Sequence, residues 1–319
     1  DTGDSIRKPA AYGGVVGYKP TYGRISRYGL FSFASSLDCV GVFSRSVKDT
    51  AYVMDVIKGY DKKDMTSLPD ENISYIDNLN NDVRGKKLFY IKEAMEIDSS
   101  NIELKEIMNN FKSVIDKCRE LGIEVEEVSF RKDLLEAIYP SYMCISCAEA
   151  TSNNSNLTGI PFGSRIDGNS IEDIMMKTRT EGFSELIKRR FVIGSYILQK
   201  ENQEKLFLNA GRVRRLIVDG INELFKEYDG LIMPTTGDIA PLFDKASDKL
   251  SDEYLILGNH LVIGNFGGFP SISIPSGFVN NMPVSINITG RAKEDSLVLN
   301  LANKIEEVLG YKGQVSTNE

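Results

Sequence analysis

Apolar positions recur along this chain with two periods, and the switches between them predict alternating helices and strands. In residues 46–57, SVKDTAYVMDVI, Val47, Ala51, Val53, Met54 and Ile57 fall at mostly helical spacing behind a serine able to cap the first turn. That predicts a helix ending near Gly59. The run KLFYI at residues 87–91 reads as a short buried strand. Ile102, Ile107, Met108, Phe111, Val114, Ile115, Cys118 and Leu121 then recur as on the apolar face of an amphipathic helix. Gly122 stops that helix, after which residues 123–128, IEVEEV, alternate apolar with acidic as a half-buried strand does. Residues 87–128 therefore predict one β-α-β unit and an α/β architecture.

Residues 131–227 carry a largely helical pattern, interrupted by an Asn-, Ser- and Gly-rich loop at 152–169. Strand-like pieces return at 230–233, 271–274 and 284–288, and a last helix is predicted over about 294–309, with a frayed tail from Val315. The first thirty residues differ from all of this. Gly13, Gly14, Gly17, Gly23 and Gly29 break them into short apolar pieces, which forbids a long helix and predicts tight, buried turns. No internal repeat and no low-complexity linker divides the chain.

Composition narrows the function. The 319 residues are 41% hydrophobic and 26% charged, enough apolar material for a sizeable core in one large domain or two smaller ones. No apolar run approaches the ~18 residues that span a bilayer. The start Asp1-Thr2-Gly3-Asp4 lacks the basic and apolar stretches of a signal peptide, so a cytoplasmic protein with no membrane partner is expected. A formal net charge of −7 argues against gripping a polyanion directly, and any nucleic acid would be handled mainly by a partner. Four cysteines are too few for a disulfide scaffold in a chain this long. Cys144 and Cys147 form a Cys-x-x-Cys, but no second close pair exists and His260 is the one histidine, which gives little support to a metal or redox site.

Several common sites are absent by inspection: no phosphate-cradling G-x-x-x-x-G-K-[ST], no His-Glu-x-x-His, no zinc-type Cys-His cluster. A Ser-His-Asp triad would need His260, which precedes an apolar, Gly-rich segment suited to a structural histidine. A serine nucleophile here would more naturally use a lysine held neutral by burial or hydrogen bonding. The candidate serine is Ser5, in Asp1-Thr2-Gly3-Asp4-Ser5-Ile6-Arg7, where small residues let main-chain N–H groups approach a substrate carbonyl. By spacing alone the same run also reads as an ordinary turn.

Residues 1–49, DTGDSIRKPAAYGGVVGYKPTYGRISRYGLFSFASSLDCVGVFSRSVKD, resemble the second half of the amidase signature. The segments KPTYGRISRYG and FASSLD resemble the A, or glutaminase, subunits of glutamyl-tRNA(Gln)/aspartyl-tRNA(Asn) amidotransferases in particular. The likeness continues through Ser146-Cys147-Ala148-Glu149-Ala150, Glu181-Gly182-Phe183, Lys188-Arg189-Arg190, Pro234-Thr235-Thr236 and Asn265-Phe266-Gly267-Gly268-Phe269-Pro270. It implies a single amidase-signature domain over 1–319, a mixed β-sheet wrapped by helices, with the family's N-terminal portion missing. It further implies Ser5 as the acyl-forming nucleophile, the backbone amides of Thr2, Gly3 and Asp4 as the oxyanion hole, Arg190 as the ligand of glutamine's α-carboxylate and Tyr142 as a pocket residue. Arginine suits that task because its planar fork takes a carboxylate bidentately.

The implied activity is hydrolysis of glutamine by a Ser-cisSer-Lys mechanism, with the ammonia passed to a partner. B- and C-type subunits would bind the tRNA and use ATP and magnesium to convert Glu-tRNA(Gln) or Asp-tRNA(Asn), as a carbon–nitrogen ligase. No cofactor or metal is implied for this chain itself. Three departures stand out: Asp4 replaces the usual glycine, no carboxylate occupies the position near Gly258 that would meet the substrate amino group, and the family's lysine and cis-serine lie upstream of Asp1. Lys8 and Lys19 are not that lysine, so residues 1–319 alone are expected to be inactive. The departures leave two other readings, a stand-alone amidase with another amide substrate and a non-catalytic scaffold subunit.

Overall fold

A computed structural model describes residues 1–69, 72–96, 101–242 and 256–314. Seven strands form one mixed sheet: β1 (Val16–Lys19), β2 (Val42–Ser44), β3 (Lys87–Ile91), β4 (Glu124–Val128), β5 (Gly230–Pro234), β6 (Ser271–Val279) and β7 (Met282–Thr289), in the order β2-β1-β6-β7-β5-β3-β4. The β3/β5 and β3/β4 pairs are parallel and all others antiparallel. The β-α-β unit is present as expected: β3 pairs in parallel with β4, and the helix Ile102–Glu120 connects them. Asn101 caps that helix by accepting from Leu104 N at 3.0 Å, and Gly122, at φ +77°, turns the chain out of it.

Buried side chains divide between the two faces of the sheet. On one face Val16, Tyr18, Leu88, Ile232, Ile272, Ile274, Ile286 and Ile288 pack against the helices Val47–Ile57, Ile102–Glu120 and Asp295–Leu309. On the other, Phe89, Ile91, Leu231 and Met233 meet Ile138–Asn153 and Asn209–Leu224. The alternation in β6 and β7 gives this second face a buried polar stripe. Ser271 Oγ lies 2.8 Å from Thr289 Oγ1 and 3.1 Å from Asn287 Oδ1, and Asn287 Nδ2 donates to Ser273 Oγ at 3.1 Å. A hairpin joins the two strands through Asn280 and Asn281, both at positive φ.

The first thirty residues depart from the expectation of turns alone. They hold a short helix, Arg7–Gly13, and β1, a four-residue strand buried at every position. A strand covered on both sides shows no alternation, and four residues are too few to reveal a period. Gly17 makes the arrangement possible. A Cβ there would stand 2.5 Å from Ala10 Cβ and 2.8 Å from Ile6 O, so only glycine lets the helix Arg7–Gly13 lie this close to β1. The helical tract of 131–227 resolves into Lys132–Glu136, Ile138–Asn153, Ile171–Gly182, Glu185–Ile197, Lys200–Gln203 and Asn209–Leu224, with a π turn at Glu204–Leu208. The tail expected from Val315 lies outside the described residues.

Candidate active site

Ser5 sits exposed in the turn that enters the helix Arg7–Gly13. Beneath it, Arg7 is fully buried and holds the turn from inside. Its guanidinium pairs with Asp1 at 2.9 Å and donates to Gly3 O (2.8 Å), Asn265 Oδ1 (2.6 Å), Leu261 O (2.7 Å) and Ser271 Oγ on the polar stripe (3.2 Å). Burial lowers the Arg7 pKa to about 10, with the nearby Asp4 carboxylate opposing the shift, so the group stays charged at neutral pH. Asn265 completes the grip by donating to Asp1 O at 3.0 Å and Asp1 Oδ1 at 2.9 Å.

Residues 2–4 are held by their side chains and carbonyls, which leaves their amides available. Thr2 Oγ1 donates to Asp38 Oδ1 at 2.7 Å and Gly3 O accepts from Arg7. Among the described residues no acceptor bonds the N–H groups of Thr2, Gly3 or Asp4. Three neighbouring unbonded amides beside an exposed serine are what stabilisation of a developing oxyanion requires. The Asp4 carboxylate forms no hydrogen bond or ion pair among the described residues.

The two pocket residues meet at this loop. A Cβ on Gly3 would lie 3.0 Å from the Tyr142 ring and 3.2 Å from its hydroxyl, so Tyr142 stacks directly on the loop. Burial raises the Tyr142 pKa, and the Arg190 guanidinium, which faces the hydroxyl, pulls it down. Arg190 also stands 5.7 Å from the centre of the Phe33 ring and, among the described residues, has no carboxylate partner. Its neighbour Arg189 is exposed, which separates the two members of the Arg-Arg pair.

Other candidates are placed elsewhere. His260 is buried. Its Nδ1 lies 2.9 Å from Leu257 O, and burial lowers its pKa to about 4, leaving a very weak base. Lys19 is buried under the loop, with Nζ donating to Pro20 O at 3.0 Å, and burial lowers its pKa to about 8. Lys8 lies over the Tyr12 ring at 5.9 Å. Cys144 and Cys147 share the helix Ile138–Asn153, the first half-buried and the second buried, and burial raises both thiols. Gly258 lies in the short helix Ile256–Asn259.

Sequence reasoning missed the residues that hold the loop: Asp38, Asn265 and the Asp1–Arg7 pair. It also missed Glu149, which accepts from Ser36 N at 2.9 Å and Ser36 Oγ at 2.6 Å, while Arg214 donates to Ser36 O at 3.1 Å. Asp38 and Glu149 stood inside the FASSLD and SCAEA segments, but nothing in their spacing reveals partners this far along the chain.

The sequence profile of the family described as Amidase matches residues 1–299. The chain belongs to the amidase family. This amidase is 38% identical over 318 residues to the glutamyl-tRNA(Gln) amidotransferase A chain of Latilactobacillus sakei, a match covering 99% of this chain and 63% of the relative. It is 37% identical over 311 residues to the protein of that name from Fusobacterium nucleatum, covering 97% and 62%. Among solved structures, the corresponding glutamyl-tRNA(Gln) amidotransferase chain of Thermotoga maritima matches with a TM-score of 0.75 at 33% identity, over 96% of this chain and 61% of that one. A bacterial aryl acylamidase matches with a TM-score of 0.74 at 20% identity, a likeness of fold alone. The amidase thus spans less than two thirds of the length of the relatives it matches.

Proposed function

We propose that this chain is the glutaminase part of a tRNA-dependent amidotransferase, within its A-type component. The observation that carries the reading is the continuous contact from the Gly3 loop through Tyr142 to Arg190, a guanidinium with no carboxylate partner among the described residues. Such a group beside three free amides and a serine suits a substrate with a carboxylate at one end and a carboxamide at the other. Arg190 would bind glutamine's α-carboxylate and the amides would surround the carboxamide oxygen. Ser5 Oγ would attack the carboxamide carbon. The tetrahedral intermediate would expel ammonia as the C–N bond breaks and a proton moves to nitrogen, and water would release glutamate from the acyl-enzyme. The base, a lysine acting through a second serine, would come from residues outside these 319. B- and C-type subunits would take the ammonia, bind the tRNA and use ATP and magnesium, in the cytoplasm.

A stand-alone amidase is the second reading, favoured by the glycine at 258 where a carboxylate would meet the substrate amino group. The deciding experiment is Ser5→Ala in the complete protein. Loss of the nucleophile should cut glutamine hydrolysis by about 10⁴-fold or more and abolish labelling by a serine-reactive phosphonate. Turnover near wild type would overturn the assignment of Ser5. Co-purification with partner subunits separates the amidotransferase from the stand-alone enzyme.

A further inference from the structure

The Asp38 carboxylate is buried, and its two oxygens serve two different parts of the site. Oδ1 accepts from Thr2 Oγ1 at 2.7 Å. Oδ2 accepts from the main-chain N–H groups of Phe33 at 2.9 Å and Ala34 at 3.0 Å. Thr2 is the first residue of the proposed oxyanion loop, and the Phe33 ring lies under the Arg190 guanidinium. The turn 33–38 is itself fixed to the helix that carries Tyr142, through Glu149 on Ser36 and through Asn153 Nδ2 donating to Phe33 O at 3.1 Å.

We propose that Asp38 is a positioning residue that clamps the oxyanion loop to the turn flooring the Arg190 pocket, and so sets the distance between the two ends of the substrate. The inference rests on the amidase reading of Ser5 and the loop, and it deepens that reading by assigning the residue that registers carboxamide against carboxylate. A carboxylate suits the position because it is acceptor-only. Both of its oxygens face donors, and the three charge-assisted bonds hold it in one orientation. Arg7 secures the loop from a different direction, at Gly3 O, so losing the clamp should leave the loop folded but free to shift at Thr2.

The test uses the complete enzyme and two substrates, glutamine and a neutral amide without the α-carboxylate. Thr2→Val removes the hydroxyl at nearly constant shape and leaves the two N–H bonds of Asp38 in place. It should lower kcat about tenfold on both substrates, since both develop the same oxyanion, with KM little changed, and Thr2→Ser should restore most of the loss. Asp38→Asn places an NH2 opposite either the Thr2 hydroxyl or the Phe33 and Ala34 N–H groups. In the second case it loosens the Phe33 turn and should raise KM for glutamine about tenfold but not for the neutral amide. Wild-type kcat in Thr2→Val, or equal KM changes on both substrates in Asp38→Asn, would overturn the clamp. Should Asp38→Asn fail to fold, the Thr2→Val and Thr2→Ser pair decides alone. Unchanged turnover in Ser5→Ala would instead overturn the underlying assignment, so the two failures are distinguishable.

Discussion

Gly194→Ala should separate the two helices that carry the pocket, because no side chain fits where they cross. Gly194 lies on Glu185–Ile197, one turn beyond Arg190, and faces Ile138–Asn153, the helix of Tyr142. A Cβ at this position would stand 2.1 Å from the carbonyl oxygen of Cys147, 2.1 Å from Thr151 Oγ1 and 2.7 Å from the Cys147 carbonyl carbon. Thr151 can rotate away, but the carbonyl belongs to a helix backbone and cannot. Restoring an ordinary contact means moving one helix by about 1 Å, and overpacking of that kind costs about 1–3 kcal/mol. The control is Gly211→Ala on Asn209–Leu224, where a Cβ would meet nothing within 4 Å. Relief of glycine's backbone entropy there should stabilise by about 0.5–1 kcal/mol. Urea denaturation of the two variants beside wild type should thus show midpoints shifted in opposite directions. In addition, Gly194→Ala should raise KM for glutamine as Arg190 moves from Tyr142. Equal midpoints for the two variants would refute the close-packing argument, and an unchanged KM would refute the claim that this crossing sets the pocket.

Arg190→Lys keeps the charge but loses the planar fork, so KM for glutamine should rise by about tenfold while a neutral amide is nearly unaffected; equal losses on both would mark a structural role. Glu306, buried on Asp295–Leu309, accepts from Val47 N with both oxygens, at 3.0 and 3.2 Å, and burial raises its pKa from 4.5 to about 7 against the pull of that N–H. A carboxyl raised in the folded state stabilises while protonated. Its contribution is therefore full below pH 4.5 and is lost as pH rises through about 7. Glu306→Gln should flatten that window and gain on wild type between pH 5 and pH 8 by up to about 3 kcal/mol in denaturation midpoints; a constant offset across pH would refute the titration.

The sequence by itself determined those elements whose pattern repeats within a short window. The helix Ile102–Glu120 and its flanking strands were legible because an apolar face recurs over several turns and Gly122 marks its end. The polar stripe of β6 and β7 was written in the alternation SISI and VSINIT, although its purpose, seating Arg7, was not. Ser5, its loop, Tyr142 and Arg190 were named through a resemblance, since four residues of Thr-Gly-Asp-Ser carry no chemistry distinguishable from a turn. Tertiary structure alone decided which arginine of the pair faces Tyr142, where Gly17 and Gly194 admit close approach, and how Asp38 joins Thr2 to Phe33. β1, too, was invisible, because a four-residue strand buried throughout has no polar face to announce it. The physical reason is common to these cases. Periodicity records which side of an element meets water, whereas a site is made by side chains distant in sequence whose hydrogen bonds form only after the sheet has brought its two ends together.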